Sequence, residues 1–276
     1  MMRRSQFPVL RVSLPLFAAS RRPRIAVHKF SSCDGCQLAL LNLGEGLLAL
    51  AQQVDFVHFA EMGLVDEDAE VDIAIVEGSV ATPHEIERIA RIRAQSKYLI
   101  AIGACATSGG IQALRNLADA PAWKRAVYAR PEHIDTLDRA EPLAMHARID
   151  LELWGCPVNA RQVLRAIRDL LSGVAPVQER DKVCLECKRI GTVCVLVAQG
   201  QPCMGPVTQT GCGVLCPQQG RDCYGCYGPA EHANGASLAA RFRAMGLSDA
   251  DVARRFGSIN SGAEGFAALA QGLRRE

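Results

Sequence analysis

The chain has 276 residues, 49% of them hydrophobic, enough for one large domain or two ordinary ones with a sizeable core. A formal net charge of +2 and 5% aromatic residues supply neither the basic surface nor the stacking platforms that nucleic-acid binding uses. No stretch is apolar for long enough to span a bilayer, and twelve cysteines are many for a chain of this size, since disulfide scaffolds suit short secreted proteins.

Residues 1–22 contain paired arginines, a mildly apolar run and small residues near Ser20, a superficial likeness to a twin-arginine export signal. Arg11 interrupts the run and Phe7 sits one place late, so this stretch is read as a disordered extension or as the product of a start codon assigned too early. RIAVHK (24–29) reads as a short buried strand. SSCDGC follows as a loop, and QLALLNLGEGLLALAQ (37–52) as one amphipathic helix. VDFVHFA (54–60) is a second strand, and VDIAIVEGSV (71–80) a third, apolar enough to be covered on both faces. Thr82 and Pro83 open a helix as N-cap and first-turn proline. KYLIAIG (97–103) is a fourth strand, leading through ACATSGG into a helix ending near residue 119. Residues 121–146 are less regular. RIDLELWGCP (148–157) is a fifth strand, and VNARQVLRAIRDLLSG the helix after it, stopped by Gly173.

Strands alternating with helices imply an α/β fold, a parallel sheet with helices on both faces. Such sheets bind ligands outside the carboxyl ends of their strands. Cys33 and Cys36 follow the first strand, Cys105 the fourth and Cys156 the fifth. Four thiols from three loops are therefore expected to meet at one edge.

The remaining eight cysteines lie in residues 184–226, spaced C-x2-C-x6-C-x8-C-x8-C-x3-C-x6-C-x2-C with glycines and prolines between them. So little apolar material makes bound metal the expected source of folding energy. Residues 227–276 return to helical patterning, with Ser248 as an N-cap. Structural zinc and iron–sulfur clusters both use C-x2-C pairs. Cys212, Cys216 and Pro217 form C-x3-C-P, the tail of the bacterial ferredoxin run, whose last cysteine serves the other of two clusters. By that rule Cys184, Cys187, Cys194 and Cys216 form one set and Cys203, Cys212, Cys223 and Cys226 the other; a simple halving of the segment stays open beside it. The thiolates of Cys33 and Cys36 would also meet the N-terminus of the next helix, whose dipole favours a negatively charged cluster.

Taken together, CDGCQLALLNL, VEGSV, IGACATSGG, GCP and GPVTQTGCGVLCP…CYGCYGP resemble the small subunit of nickel–iron hydrogenases. The resemblance runs over roughly residues 24–229 and is nearest to the delta subunits of the cytoplasmic, NADP-linked group, the sulfhydrogenases. It implies a flavodoxin-like domain (23–175) holding a proximal [4Fe–4S] cluster on Cys33, Cys36, Cys105 and Cys156. It further implies a ferredoxin-like domain (176–229) with two more clusters, three [4Fe–4S] in all, and leaves a helical tail (230–276). The implied work is electron transfer in the cytoplasm, with a nickel–iron large subunit on one side. On the other stand a flavin- and NAD(P)-binding subunit and a further iron–sulfur subunit. RDCYGC (221–226) only echoes a nickel-binding motif, so no nickel and no catalytic residue are expected on this chain.

Two relatives and one unrelated class compete. A quinone-reducing complex subunit would carry adjacent cysteines in its first motif and usually lack the eight-cysteine segment. An exported uptake hydrogenase subunit would use a histidine ligand, and the only histidine after Cys184 is His232. A zinc-bound scaffold would be colourless. Among single residues, Gly35 is expected to permit the turn between two ligands, Glu77 to be solvated or to serve a partner or proton path, His28 to be packed, and Trp154 to cover a cluster. The C-terminal helices are expected to dock on a partner.

Overall fold

A computed structural model describes residues 21–275; of the expected 1–22 extension, only Arg21 and Arg22 fall among the described residues. Five strands form one parallel sheet: β1 (Arg24–Lys29), β2 (Asp55–Phe59), β3 (Val71–Glu77), β4 (Ser96–Ile102) and β5 (Leu151–Leu153). Their spatial order is β2-β1-β3-β4-β5. The chain reverses direction across the sheet between β1 and β3, the place where such folds open a binding crevice. All seven residues of β3 are buried.

Alternate side chains of each strand point to opposite faces, and two cores result. Ile25, Val27, Ile73, Ile75, Ile100 and Ile102 pack on one face. There they meet Leu40 of α1 (Gly35–Leu41), Leu50 of α2 (Glu45–Ala51) and Val163, Ile167 and Leu170 of α6 (Ala160–Leu171). On the other face Ala26, Ala74, Val76, Leu99 and Ala101 meet Ile89 and Ile92 of α3 (Pro83–Gln95). The start of α3 is a full capping box: Thr82 Oγ1 accepts from the Glu85 N–H at 3.3 Å, and Glu85 Oε2 accepts from the Thr82 N–H at 3.0 Å.

The single helix expected over 37–52 is two, α1 and α2, because Gly44 takes a φ of +55° between them. After β4 comes the short α4 (Gly103–Ser108), then a 3₁₀ stretch over Ile111–Leu117 and α5 (Ala120–Val127). β5 keeps only three residues of the ten-residue strand expected, and its outer edge is closed by Gln178 Nε2, which donates to the Glu152 carbonyl.

The cysteine-rich segment is more ordered than its composition implies. It contains α7 (Val183–Ile190), α8 (Val195–Ala198) and α9 (Leu215–Gln218). Beyond it lie α10 (Gly235–Ala244), α11 (Asp249–Gly257) and α12 (Glu264–Arg275). Val183, Val195, Met204, Val207 and Val214 share one core with Leu238, Phe242, Val252, Phe256 and Phe266 of these helices. The apolar faces of the C-terminal helices thus pack on the cysteine-rich segment, and metal is not its sole support. Ser248 caps α11 as the sequence indicates, accepting from the Asp251 N–H at 3.2 Å. Ser248→Ala is expected to cost about 1 kcal/mol, read as a fall in the denaturation midpoint.

Candidate metal centre

Four of the thiols do meet at the carboxyl end of the sheet. Cys33 and Cys36 lie on the loop after β1 and in the first turn of α1. The turn between them is made by Asp34, at φ 63°, and not by Gly35. A short polar side chain tolerates that left-handed conformation, and Asp34 is held there by Lys29 Nζ at 2.6 Å and by Ser32 Oγ, which accepts its N–H at 3.3 Å. Gly35 has another use: a Cβ there would lie 3.4 Å from Cys33 Sγ and 3.8 Å from Pro157 Cβ.

Cys105 stands in α4, and Cys156 precedes a cis bond to Pro157. The loops interlock through backbone. The Ala104 N–H donates to the Gly155 carbonyl at 2.7 Å, and the Val158 N–H points at Cys36 Sγ at 3.5 Å. Two glycines make room for sulfur. A Cβ on Gly103, at φ +84°, would fall 2.4 Å from Cys36 Sγ; one on Gly110, at φ +59°, would fall 2.6 Å from Cys105 Sγ.

Burial pushes the Cys36 thiol well up, with Glu77, Cys105 and Cys156 adding to it. Burial raises Cys105 to about 12, with Cys156, Cys33 and Glu77 contributing, and raises Cys156 with Cys33 contributing. Each of these three thiols is therefore raised in part by at least one other of the four, and no side-chain cation stands among the causes. A bound metal supplies the positive charge that such a set lacks, and a coordinating thiol gives up its proton. An all-sulfur donor set selects zinc or iron–sulfur. Among the described residues, no three His, Cys, Asp or Glu side chains close to the spacing of one metal ion; a four-iron cluster is wider than an ion and takes its thiolates farther apart.

Glu77, at the end of β3, is 1% exposed rather than solvated. Its carboxylate accepts from Ser32 Oγ at 3.1 Å, the Cys36 N–H at 3.1 Å and Gln37 Nε2 at 3.0 Å. Of the first-turn N–H groups of α1, that of Cys36 thus goes to Glu77. Burial raises the Glu77 carboxyl, and Gln37 and Ser32 oppose that shift.

Of the other eight cysteines, Cys203 and Cys223 lie in the core shared with the last three helices, and Cys187 packs against it. Cys203 and Cys184 lie on the same side of Gly205, whose Cβ would stand 3.4 and 3.5 Å from their sulfurs. Burial raises Cys184, with Cys203 and Cys194 adding and Lys188 and Lys182 opposing. Burial raises Cys187 to about 11, with Cys184, Cys203, Cys194 and Cys212 adding. Cys226 is raised to about 12 by burial, then by Cys212, Cys156 and Cys216. The Cys223 N–H donates to Cys203 Sγ at 3.3 Å, which brings these two cysteines together. All twelve cysteines are free, and Cys33 and Cys194 are exposed.

Trp154 packs beneath the loop after Cys226, where a Cβ on Gly228 would strike its ring at 2.2 Å. His28 is buried against His58, and His232 is exposed beside Glu231. The sequence reading missed the burial of Glu77, legible in the apolar run that ends on it, and the cradle of Gly103 and Gly110, for which the only signal was IGACATSGG itself.

Residues 33–170 match the family model described as NADH ubiquinone oxidoreductase, 20 Kd subunit. The sulfhydrogenase 2 subunit delta of Pyrococcus furiosus is 32% identical over 84% of this chain and 97% of its own length. The NAD-reducing hydrogenase HoxS subunit delta of Cupriavidus necator is 28% identical over 58% of this chain and 84% of its own. Among solved structures, a chain of an NAD+-reducing [NiFe]-hydrogenase in the H2-reduced state is 30% identical and superposes with a TM-score of 0.52, covering 57% of this chain and 96% of that one. Sheet, thiol array and matches together define an iron–sulfur electron-transfer subunit. The chain belongs to the family of nickel–iron hydrogenase small subunits.

Proposed function

We propose that this subunit relays electrons through three [4Fe–4S] clusters between a nickel–iron large subunit and an NAD(P)-linked flavin partner, with a further iron–sulfur subunit in the same complex. The observation that carries the reading is the convergence of Cys33, Cys36, Cys105 and Cys156, cradled by glycines, at the carboxyl edge of a parallel sheet. These four hold the first cluster. For the other eight, neighbour relations favour the contiguous halves over the crossed sets drawn from the ferredoxin rule. Cys184 and Cys187 are raised in part by Cys203 and Cys194, and Cys226 in part by Cys212 and Cys216, against two relations that cross the divide, Cys212 on Cys187 and Cys203 on Cys223. The second set is therefore Cys184, Cys187, Cys194 and Cys203, and the third Cys212, Cys216, Cys223 and Cys226. The clusters supply one-electron chemistry; the chain holds them by thiolate, shields them with its apolar cores and fixes their separation.

Two of the matching proteins are NAD-reducing hydrogenases, which supports the NAD(P) link. Twelve free thiols suit a reducing compartment, and we place the subunit in the cytoplasm. Among the described residues no helix is long and apolar enough to cross a membrane.

The test is anaerobic iron, acid-labile sulfide, zinc and nickel analysis of the purified chain. About twelve irons and twelve sulfides, without nickel, are expected for three four-iron clusters. Stoichiometric zinc without sulfide, reproduced after anaerobic reconstitution, would replace the relay by a zinc scaffold.

A further inference from the structure

The loop between α11 and α12 contains no cysteine, yet it reaches two cluster-bearing loops at once. Asn260 is 1% exposed. Its Oδ1 lies 2.8 Å from Ser108 Oγ, and its Nδ2 donates to the Gly225 carbonyl at 2.7 Å. The carbonyl can only accept, so the amide NH2 must face it, which leaves Oδ1 to share the single Ser108 hydroxyl proton with the Ala104 carbonyl, 2.9 Å from the same Oγ. Ser108 ends α4, three residues after Cys105, and is itself buried. Gly225 lies between Cys223 and Cys226.

Backbone contact removes the slack from this junction. A Cβ on Gly262 would fall 2.3 Å from the Ser108 carbonyl oxygen, so loop and helix end are already touching. A second junction lies on the other side. Asn159 Nδ2 donates to the Gly211 carbonyl at 2.6 Å, and the Tyr227 hydroxyl donates to the Pro157 carbonyl at 3.3 Å. These tie the Cys156 loop to the segments beside Cys212 and Cys226. In that second junction the tethering side chains belong to the loops they join. Asn260 belongs to neither of its loops. An aliphatic side chain of the same size would fill this space without burying an amide, so packing alone does not require asparagine here. What the amide adds is a fixed distance, the use for which fully satisfied buried polar groups are suited.

We infer that Asn260 is a positioning residue: it pins the Cys105 helix to the Cys223–Cys226 loop and so sets how fast an electron passes between the clusters those two elements hold. The inference rests on the relay reading above. One electron moves and no bond is made or broken, so separation and orientation are what the protein controls.

The experiment uses the assembled hydrogenase complex carrying Asn260→Leu, Asn260→Asp or Ser108→Ala. Three quantities are read: iron and sulfide content, exchange of D2 with solvent protons, and freeze-quench paramagnetic resonance of the clusters after mixing with H2. Exchange reports the large-subunit metal site without the relay. Asn260→Leu is expected to keep iron, sulfide and exchange, to alter the spin–spin coupling between the first and third clusters, and to slow H2-driven reduction of the third cluster by about tenfold, the low end for loss of an outer-shell partner. Asn260→Asp keeps the Ser108 bond and sets a carboxylate against the Gly225 carbonyl, so it should slow the same step. Ser108→Ala should slow it less, in the same direction. Full iron with unchanged coupling and rate would overturn the inference, as would slowing only in proportion to iron lost. If Asn260→Leu does not assemble, Ser108→Ala decides by the same criteria. An unsubstituted complex without iron–sulfur signals would instead remove the relay reading itself.

Discussion

Gly103→Ala is expected to empty the first cluster site while sparing the other two, a loss of about four irons from a total of about twelve. Two effects act together. At φ +84° a residue with a Cβ costs about 1–2 kcal/mol. The new methyl also falls 2.4 Å from Cys36 Sγ. Neither side can give way easily, since the Cβ is fixed to backbone and Cys36 is held between the Val158 N–H and the Glu77 carboxylate that binds its own N–H. Gly272→Ala, with open space around the position, is the control. Iron analysis and reduced-state paramagnetic resonance of both variants check the outcome, and full iron in Gly103→Ala would mean that the Cys36 thiol can move aside.

Acid should weaken the fold chiefly through one buried ring, and His28→Leu should remove that ring's share of the effect. His28 is 4% exposed and stacks on His58 with centroids 4.5 Å apart. Burial lowers its pKa to about 3, with His58 and Arg88 adding to the shift. The unfolded chain takes up the proton near pH 6.5. Below that pH the unfolded state binds a proton that the native state refuses, so stability falls as pH falls, down to about pH 3. Between pH 7 and pH 5 this ring alone should remove about 2 kcal/mol. Leucine leaves no partner stranded, because His28 Nδ1 has no hydrogen bond. The check is the difference in urea midpoint between pH 7 and pH 5, for both proteins. Equal differences would mean that His28 is charged, or hydrated, inside the fold.

Much of this molecule could be read from its sequence where one signal dominated. Val71–Glu77 and Ser96–Ile102 are strands because an apolar run with no polar face belongs between two layers. Thr82 and Ser248 announce helix starts by local chemistry that tertiary structure had no reason to override. The four thiols of the first site follow from topology, since each comes directly after a strand. Other features needed coordinates. The apolar periodicity of residues 37–52 runs unbroken past Gly44, and only its backbone angles reveal the break. Helix α7 hides because Cys184 and Cys187 occupy positions where a helix usually shows aliphatic residues. Asp34 rather than Gly35 makes the ligand turn because nearby polar partners, Lys29 and Ser32, hold it there. Asn260 gives no sequence signal, since its two partners lie 152 and 35 residues away.

The shared core of the cysteine-rich segment and the last three helices also imposes a timetable on synthesis. The first site is complete in outline once residue 158 has been made. The other eight thiols are made by residue 226, but the core that orders them extends to Leu273. At roughly 5–20 residues per second, the ribosome needs about 2–9 s to add that stretch. For those seconds eight reactive thiols sit on an unfinished nascent chain. Cluster delivery to that half must therefore wait for release or be guarded by a protein that holds the thiols, whereas the first site can be filled while translation continues.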